Sequence, residues 1–182
     1  MIEPIGERQR EEVSQATFDC IEKGAELFSR EFAKIPLLFD LKGRAAGQYR
    51  LRDGLPQIRY NPYIFAKYYE ENLRVTVVHE VAHYLTDQLY TGGNAFFSRQ
   101  KRIRPHGQEW QSVMHKLGVK PQTTCDFDIS DLPHRRYRVY DYRCDCQKHA
   151  LGIRRHKKVE TNKARYYCRL CKGLLSAASG SE

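Results

Sequence analysis

The sequence predicts an α+β fold followed by a small zinc ribbon at the C-terminus. Apolar residues recur at helical spacing in several long segments, short segments bounded by Gly and Pro lie between them, and two cysteine pairs stand near the end. A chain of 182 residues can form one medium domain and one small appendage. We therefore expect an α+β domain over residues 1–125, a basic zinc ribbon over 134–175 and a disordered tail over 176–182.

Three helices are expected in the first domain. The first spans residues 8–32 and ends before Pro36, because apolar residues recur there at helical spacing between charged positions. The second spans residues 70–90 and is stopped by the Gly-Gly pair at 92–93. The third spans residues 105–118, between an opening proline and a closing glycine.

A small antiparallel sheet is expected between the first two helices. Short strand-like segments cover residues 37–41, 47–51 and 57–60, and glycines and a proline separate them. Residues 121–133 show no periodicity and are interpreted as a linker.

The net charge of +9 is concentrated in the C-terminal segment. Residues 134–175 carry 13 Lys or Arg and 3 Asp or Glu, so the rest of the chain is close to neutral. This distribution favours a local polyanion-binding surface. The N-terminus lacks an apolar export signal and no uncharged apolar segment approaches about 20 residues, so we expect a cytoplasmic protein without membrane contact.

His79, Glu80 and His83 form an HExxH pattern on the second expected helix. Residues four apart lie one turn above each other, so both imidazoles can reach one zinc ion. Glu80 projects beside the pair, where its carboxylate can take a proton from a water held at the metal and pass it to a leaving amine. The neighbouring positions of this helix are apolar, which argues against two unpartnered surface histidines.

A hydrolytic zinc needs a third protein ligand, and His106 is the best candidate. It begins the third helix on the face that carries Trp110, which predicts an inward side chain. Glu109 is the alternative, because related zinc sites take a carboxylate from a second helix. Thr86 and Leu89 occupy the positions where a metzincin needs Gly and His, so that class is excluded.

Four further residues of metal-binding type are not expected to bind a metal ion. His115 and His134 are interpreted as surface residues, Cys20 as a small buried group on the first helix, and Cys125 as a loop residue.

The clustered cysteines predict a structural zinc site. Cys168 and Cys171 form a CxxC turn, which can present two sulfurs to a tetrahedral zinc ion, and Cys144 and Cys146 form a shorter CxC pair. His149 can replace Cys144 as the fourth ligand, although four cysteines are favoured. Metal binding would stabilise a segment that is too small to bury a core of its own.

Cations and tyrosines alternate around these cysteines. Cations neutralise phosphates and aromatic rings stack on exposed bases, a combination that favours single-stranded or distorted nucleic acid as partner. The residues concerned are Arg135, Arg136, Arg138, Arg143, Arg154, Arg155, Lys157 and Lys158 with Tyr137, Tyr140, Tyr142, Tyr166 and Tyr167. The alternative is a solvated basic face with the tyrosines in a small core.

Taken as a set, these motifs resemble the SprT-like metallopeptidase family. The resemblance rests on residues 78–83 (VHEVAH), 106–110 (HGQEW) and 154–156 (RRH) in the Cys-rich tail. Residues 40–47 (DLKGRAAG) and 58–62 (IRYNP) also resemble that family's strand motifs. The likeness extends from the first helix to residue 175.

The resemblance implies a compact zincin-like protease domain, with His79, His83 and His106 on zinc and Glu80 as the base. The same family contains the Spartan proteases, which degrade proteins crosslinked to DNA, whereas the bacterial SprT branch is closer to this chain in size and in its C-terminal ribbon.

Two functions are therefore compared. The first is a zinc metalloendopeptidase with one catalytic and one structural zinc ion, which acts on DNA-associated proteins. The second is a non-catalytic zinc-ribbon protein that binds nucleic acid and whose HExxH site is structural or vestigial.

Overall fold

The computed structural model describes residues 2–91, 103–123, 127–132 and 138–178 and shows a mixed α+β architecture, which confirms the predicted fold class. The chain divides into two compact units, Met1–His134 and Arg135–Glu182. Each unit has its own cluster of buried hydrophobic residues.

Helix α1, Glu7–Phe28, packs one face on the core of the first unit. Val13 and Ile21 on this face are almost fully buried. The helix ends four residues earlier than predicted. Ser29 adopts a left-handed conformation with φ of 48°, and its N–H and that of Arg30 satisfy the last carbonyls of the helix, so Pro36 is not needed as a stop.

The three expected strands are present as β1 (Leu37–Leu38), β2 (Gly47–Arg52) and β3 (Leu55–Tyr60). β2 and β3 form an antiparallel hairpin, and its Asp53-Gly54 turn has φ values of 52° and 81°. The expectation of an all-antiparallel sheet is wrong. In the sheet, β3 lies between β1 and β2, and β2 lies at an edge. The pairing of β1 with β3 is parallel.

Helix α2 (Pro62–Lys67) precedes the range of the second predicted helix. The predicted helix itself is a series of shorter elements, which are α3 (Tyr69–Glu71), a π-helix (Asn72–Thr76) and α4 (Val77–Tyr90). The fully buried Asn72 side chain stabilises the irregular turn, because its amide donates to the carbonyl of Tyr68 and its oxygen accepts from the Thr76 hydroxyl. The predicted Gly-Gly stop at 92–93 lies outside the described residues.

Helix α5, Gln108–Lys116, begins three residues later than predicted. Gly107 is its N-cap in an extended conformation, and residues 105–107 form a turn in front of it. Gly118 follows the helix with φ of 86°. Trp110 and Met114 of α5 pack fully buried in the core cluster that also contains α4 residues, so α4 is the central element of the unit.

The segment interpreted as a linker is in part packed on the first unit. The ring of Phe127 stacks on Tyr68 with centroids 4.7 Å apart. The Nζ of Lys67 donates to the carbonyl of Asp128 and to the carboxylate of Asp131 at 2.7 and 2.6 Å. Contacts that are distant in sequence therefore hold residues 127–132 in place, which the local sequence pattern could not indicate.

The second unit is a three-stranded antiparallel sheet with one short helix. Its elements are β4 (Val139–Arg143), β5 (Lys148–Gly152), α6 (Ile153–Glu160) and β6 (Ser176–Ala177), with strand order β5-β4-β6. The prediction that a disordered tail begins at residue 176 is wrong, because Ser176 and Ala177 pair with β4. Residues 179–182 lie outside the described part of the chain.

Across the residues that the structure describes, no helix combines the length and apolar character required to span a bilayer.

Candidate metal centres

Helix α4 places His79 and His83 one turn apart, and the turn before α5 brings His106 to the same point. The Nε2 atom of His83 lies 3.1 Å from that of His79 and 3.1 Å from that of His106. The Nε2 atoms of His79 and His106 are 3.2 Å apart. Three ring nitrogens from two segments of the chain therefore converge on one point.

His106 reaches this point from a turn and not from the helix that the sequence predicted. The N–H of Gly107 closes the turn on the carbonyl of Arg104 at 2.9 Å, and the side chain of Gln111 caps the carbonyl of His106 at 3.1 Å. The direction of the imidazole towards the other two histidines is therefore set by this turn, which precedes α5.

Trp110 is the common packing surface of the three imidazoles. Its ring centroid lies 4.8 Å from those of His79 and His106 and 5.4 Å from that of His83. Sequence analysis used Trp110 only to orient α5 and missed this role. The available signal was its position four residues after His106 on an inward helix face.

Burial keeps the three imidazoles neutral. Burial is the main cause and the neighbouring rings add to it, His79 and His106 for His83 and His106 for His79, so that the pKa of His83 is lowered to about 3 and that of His79 to about 4. Burial also lowers the pKa of His106. A hydrogen bond to the main chain of Gln122 fixes the His79 ring. Neutral imidazoles are the form that coordinates a metal ion.

The spacing of the three ring nitrogens fits coordination of one zinc ion better than it fits hydrogen bonds among the rings. Ligands about 2.0–2.1 Å from a tetrahedral zinc are about 3.3–3.4 Å apart, close to the observed 3.1–3.2 Å. A closed triangle of neutral rings cannot satisfy three hydrogen bonds with good geometry, because each Nε2 is either donor or acceptor. The donor set of three imidazoles leaves the fourth tetrahedral position open.

Glu80 lies beside this cluster and points towards β2. Its side chain is only 6% exposed, and its Oε2 accepts the backbone N–H of Tyr49 at 2.6 Å. Burial raises the pKa of the carboxyl to about 7, and the Tyr49 N–H partly offsets this effect. Glu80 and His79 line a cleft of about 240 Å³, whose walls also include Gly47 and Phe127.

The alternative third ligand and the remaining histidines lie elsewhere. The group of side chains that could bind a metal ion comprises His79, His83 and His106, and Glu109 is not part of it. His115 is exposed on α5, as expected, and His134 lies outside the described residues.

Comparison with known proteins gives the family of this chain. A model of the SprT-like family matches residues 18–130, which include all three histidines and Glu80. The chain belongs to the SprT-like family.

Relatives named Protein SprT match most of the chain as well. The protein from Vibrio parahaemolyticus is 36% identical over 158 residues, which cover 86% of this chain and 87% of the relative. The protein from Shewanella oneidensis is 33% identical and covers 93% and 99%, and that from Pseudomonas aeruginosa is 35% identical and covers 86% and 88%. No solved structure matches the chain.

Membership of the SprT-like family is consistent with a zinc-dependent, protease-like protein. The three histidines form a possible metal site of this SprT-like chain, and the four cysteines form another.

The second possible site lies in the C-terminal unit of this SprT-like protein. Cys144 and Cys146 lie between β4 and β5, and their sulfurs are 3.4 Å apart, whereas those of Cys146 and Cys168 are 3.6 Å apart. With Cys171, the four sulfurs lie within 4.8 Å of one another. Sulfurs about 2.3 Å from a tetrahedral zinc ion are about 3.8 Å apart, so this donor set fits zinc.

Backbone N–H groups stabilise the CxxC turn around these sulfurs. The N–H of Leu170 points at the sulfur of Cys168 and that of Gly173 at the sulfur of Cys171, each at 3.4 Å. Hydrogen bonds from the backbone beside Cys171 lower the pKa of the Cys168 thiol to about 5. The turn therefore favours the thiolate form that binds metal.

His149 is a neighbour of this cluster and not one of its four members. Its Nε2 lies 3.3 Å from the sulfur of Cys144, and the two atoms share one hydrogen bond. The geometry thus favours the four-cysteine set over the alternative in which His149 replaces Cys144.

The two remaining cysteines differ in what can be said of them. Cys20 is half-buried against the core of the first unit, and burial raises the pKa of its thiol to about 11, which suits a structural role. Cys125 lies outside the described residues.

Proposed function

We propose that this SprT-like protein is a zinc-dependent metalloendopeptidase with a zincin-like first unit. One observation supports the proposal above all others: three neutral imidazoles converge with an open tetrahedral position, and a buried carboxylate lies alongside in a cleft. The ligands would be His79, His83 and His106. Bound zinc supplies a Lewis acid that polarises a peptide carbonyl and makes water a nucleophile at neutral pH.

The residues of the chain have separate tasks in peptide hydrolysis. The three histidines would hold the metal ion, Trp110 packs against their rings, and the cleft beside Glu80 is where the peptide substrate would bind. Glu80 accepts a proton from the attacking water while the bond from water oxygen to carbonyl carbon forms. It then delivers this proton to the amide nitrogen as the C–N bond breaks, so that a carboxylic acid and an amine leave. A carboxyl with a pKa of about 7 can perform both transfers near neutral pH.

Substitution of Glu80 by Gln tests this proposal. The variant should retain the zinc content of the wild type, because Glu80 is not a ligand, and should lose about 10²–10⁴-fold in kcat on an unstructured protein such as casein. Zinc is measured by atomic absorption and cleavage by fragment analysis. Glu109→Gln is the matched control, since Glu109 stands outside the cluster, and it should keep both zinc and activity. Equal cleavage by Glu80→Gln and wild type would contradict the mechanism.

We further propose that the substrates are DNA-associated proteins in the cytoplasm and that the second unit binds the DNA. The support is a cationic surface on α6. Arg154, Arg155, Lys157 and Lys158 are all exposed, and within the described residues none of the four has an ion-pair partner.

This charge pattern works in part against the stability of α6. Arg154 and Arg155 in the first turn oppose the helix dipole, and like charges three and four residues apart repel by about 0.2–0.5 kcal/mol per pair, whereas Lys157 and Lys158 in the last turn interact favourably with the dipole. His156 holds the helix on the sheet, because its ring stacks on Tyr140 at 3.5 Å and its Nδ1 hydrogen-bonds the Tyr142 hydroxyl at 3.0 Å. A helix that retains uncompensated cations at this cost suits a polyanionic partner.

The structure revises which tyrosines can stack on bases. Tyr142 is buried, Tyr140 and Tyr166 are half-buried against the same core, and only Tyr167 is largely exposed, at 57%. Tyr137, with Arg135 and Arg136, lies outside the described residues. The alternative of tyrosines in a small core therefore holds for three of them, and contacts to phosphates become the main basis of the proposed binding.

Replacement of the four α6 cations by Gln tests the nucleic-acid partner. The variant should bind a 20-nucleotide strand more weakly, and the slope of log affinity against log salt should fall by about 0.7 per lost phosphate contact. Fluorescence anisotropy measures both quantities. The matched control replaces four exposed cations of the first unit, namely Arg30, Arg52, Arg74 and Lys120. If both variants lose the same affinity, binding reflects net charge alone and α6 is not the site.

A further inference from the structure

Strand β2 holds the carboxylate of Glu80 from outside the helix that carries it. We propose that Gly47 and the backbone N–H of Tyr49 are positioning groups, which fix Glu80 in the orientation needed for proton transfer. This inference rests on the proposed peptidase function, and it concerns two residues that the HExxH pattern does not contain.

Gly47 provides the space that the Glu80 side chain occupies. A Cβ atom at position 47 would lie 2.6 Å from Cγ and 2.7 Å from Oε1 of Glu80, and 2.8 Å from Cγ2 of Thr76. Carbon atoms in favourable contact are about 3.5–4.0 Å apart, so any side chain at this position displaces Glu80 or the strand. Gly47 is not among the glycines with positive φ, so the requirement is for space and not for backbone conformation.

The N–H of Tyr49 anchors one oxygen of the carboxylate. It donates to Oε2 at 2.6 Å, and it is free to do so because β2 is an edge strand whose outer N–H groups have no neighbouring strand. A hydrogen bond to a charged acceptor in a buried site is stronger than one between neutral groups. Within the described residues no donor contacts Oε1, which lies on the side of Gly47 and the cleft.

The side chain of Tyr49 keeps the strand at this distance from α4. Its hydroxyl donates to Oδ2 of Asp87 at 2.8 Å, and its ring lies 6.1 Å from that of Tyr84, both on α4. Glu80 and Asp87 are seven residues apart, two helical turns, so β2 is bound to one face of α4 at two points. The arrangement engages Oε2 and leaves Oε1 on the side of the cleft, where it can accept the proton.

The test compares wild type with two single changes at positions 47 and 49. One is Gly47→Ala. The other replaces Tyr49 by its α-hydroxy acid analogue, which changes only the N–H into an ester oxygen and decides the matter if Gly47→Ala does not fold. Gly6→Ala is the matched control, because nothing lies within 4 Å of an added Cβ there.

Both changes should lower kcat on a peptide substrate at least about tenfold and leave KM within about twofold. Zinc content and the absorption spectrum of the cobalt-substituted protein should equal those of wild type, since the ligands are untouched. A crystal structure of Gly47→Ala should show the Glu80 carboxylate moved away from the N–H of Tyr49.

The outcomes separate the positioning role from the proposed function. If wild type binds zinc and cleaves nothing, the peptidase proposal fails. If wild type cleaves and either folded variant has the same kcat, the positioning role alone is overturned. A loss of kcat that comes with loss of zinc or an altered cobalt spectrum also overturns it, because the change then acts on the metal site.

Discussion

Burial acts in opposite directions on the two kinds of titratable side chain around the first metal site. It raises the pKa of Glu80 to about 7 and lowers the pKa of His79 and His83 to about 4 and 3. Both effects disfavour the charged form, as desolvation does for any ionisable group. At neutral pH the metal-free site therefore presents unprotonated imidazoles, which a cation can bind without displacing protons.

The lowered pKa values of His79 and His83 predict that these two imidazoles lose their contribution to stability in acid, whereas the raised pKa of Glu80 acts in the opposite direction and offsets part of this loss. The folded state holds His79 and His83 neutral, whereas the unfolded chain protonates them below about pH 6.5. Their contribution to stability is therefore complete above pH 6.5 and is lost as the pH falls towards 4. Between pH 7 and 5.5 the loss is on the order of 1–2 kcal/mol, after a discount for partial exposure.

Urea unfolding of the metal-free protein measures this effect. Trp110 is the only tryptophan and touches all three imidazoles, so its fluorescence reports the unfolding of the first unit. A variant with Gln at positions 79 and 83 should lose less stability on acidification than wild type. His115→Gln should behave like wild type, because His115 is exposed. Parallel curves for wild type and the double variant would show that these imidazoles do not carry the acid sensitivity.

At the scale of elements, the sequence was sufficient where a pattern is local. The i, i+4 spacing of His79 and His83 places both rings on one face of any helix, and the Asp53-Gly54 pair favours the tight hairpin that is observed. The four cysteines also cluster as their spacing predicted. The first two geometries follow from a few consecutive residues, and the cysteine cluster follows from two short motifs of known metal-ligand spacing.

The sequence did not predict the features that depend on contacts between residues far apart in the chain. The π-helix before α4 depends on the buried amide of Asn72, and the parallel pairing of β1 depends on the insertion of β3 beside it. Helix α6 was not predicted, because the sequence of this segment is dominated by cations and only His156 and Val159 mark its inward face. The position of Glu80 against Gly47 is of the same kind, since 33 residues separate two atoms that must fit.

At the scale of the whole molecule, the two units depend on metal to different degrees. The first unit has a large apolar core that includes α1, α4 and α5, so it can fold without an ion. Among the described residues of the second unit, the core comprises four buried side chains, and one of them is that of Cys168. A unit of this size needs its metal for stability, because binding of the ion and folding are coupled.

Substitution of Cys168 by Ser should therefore unfold the second unit alone. The zinc content should fall from two ions per chain to one, and binding to single-stranded DNA should be lost. Cleavage of casein and the unfolding transition seen by Trp110 fluorescence should persist, because both belong to the first unit. Cys20→Ser is the matched control, since Cys20 lies against the first core and outside both clusters, and it should keep two ions.

The zinc count also separates the two functions compared for this chain. One ion per chain in wild type, removed by Cys168→Ser, would leave the histidine site without metal and would support a zinc-ribbon protein that binds nucleic acid without catalysis. Two ions, of which the histidine site retains one after Cys168→Ser, fit the peptidase. A protein that loses casein cleavage together with the ribbon would show instead that the first unit requires the second, contrary to the independence that their separate cores predict.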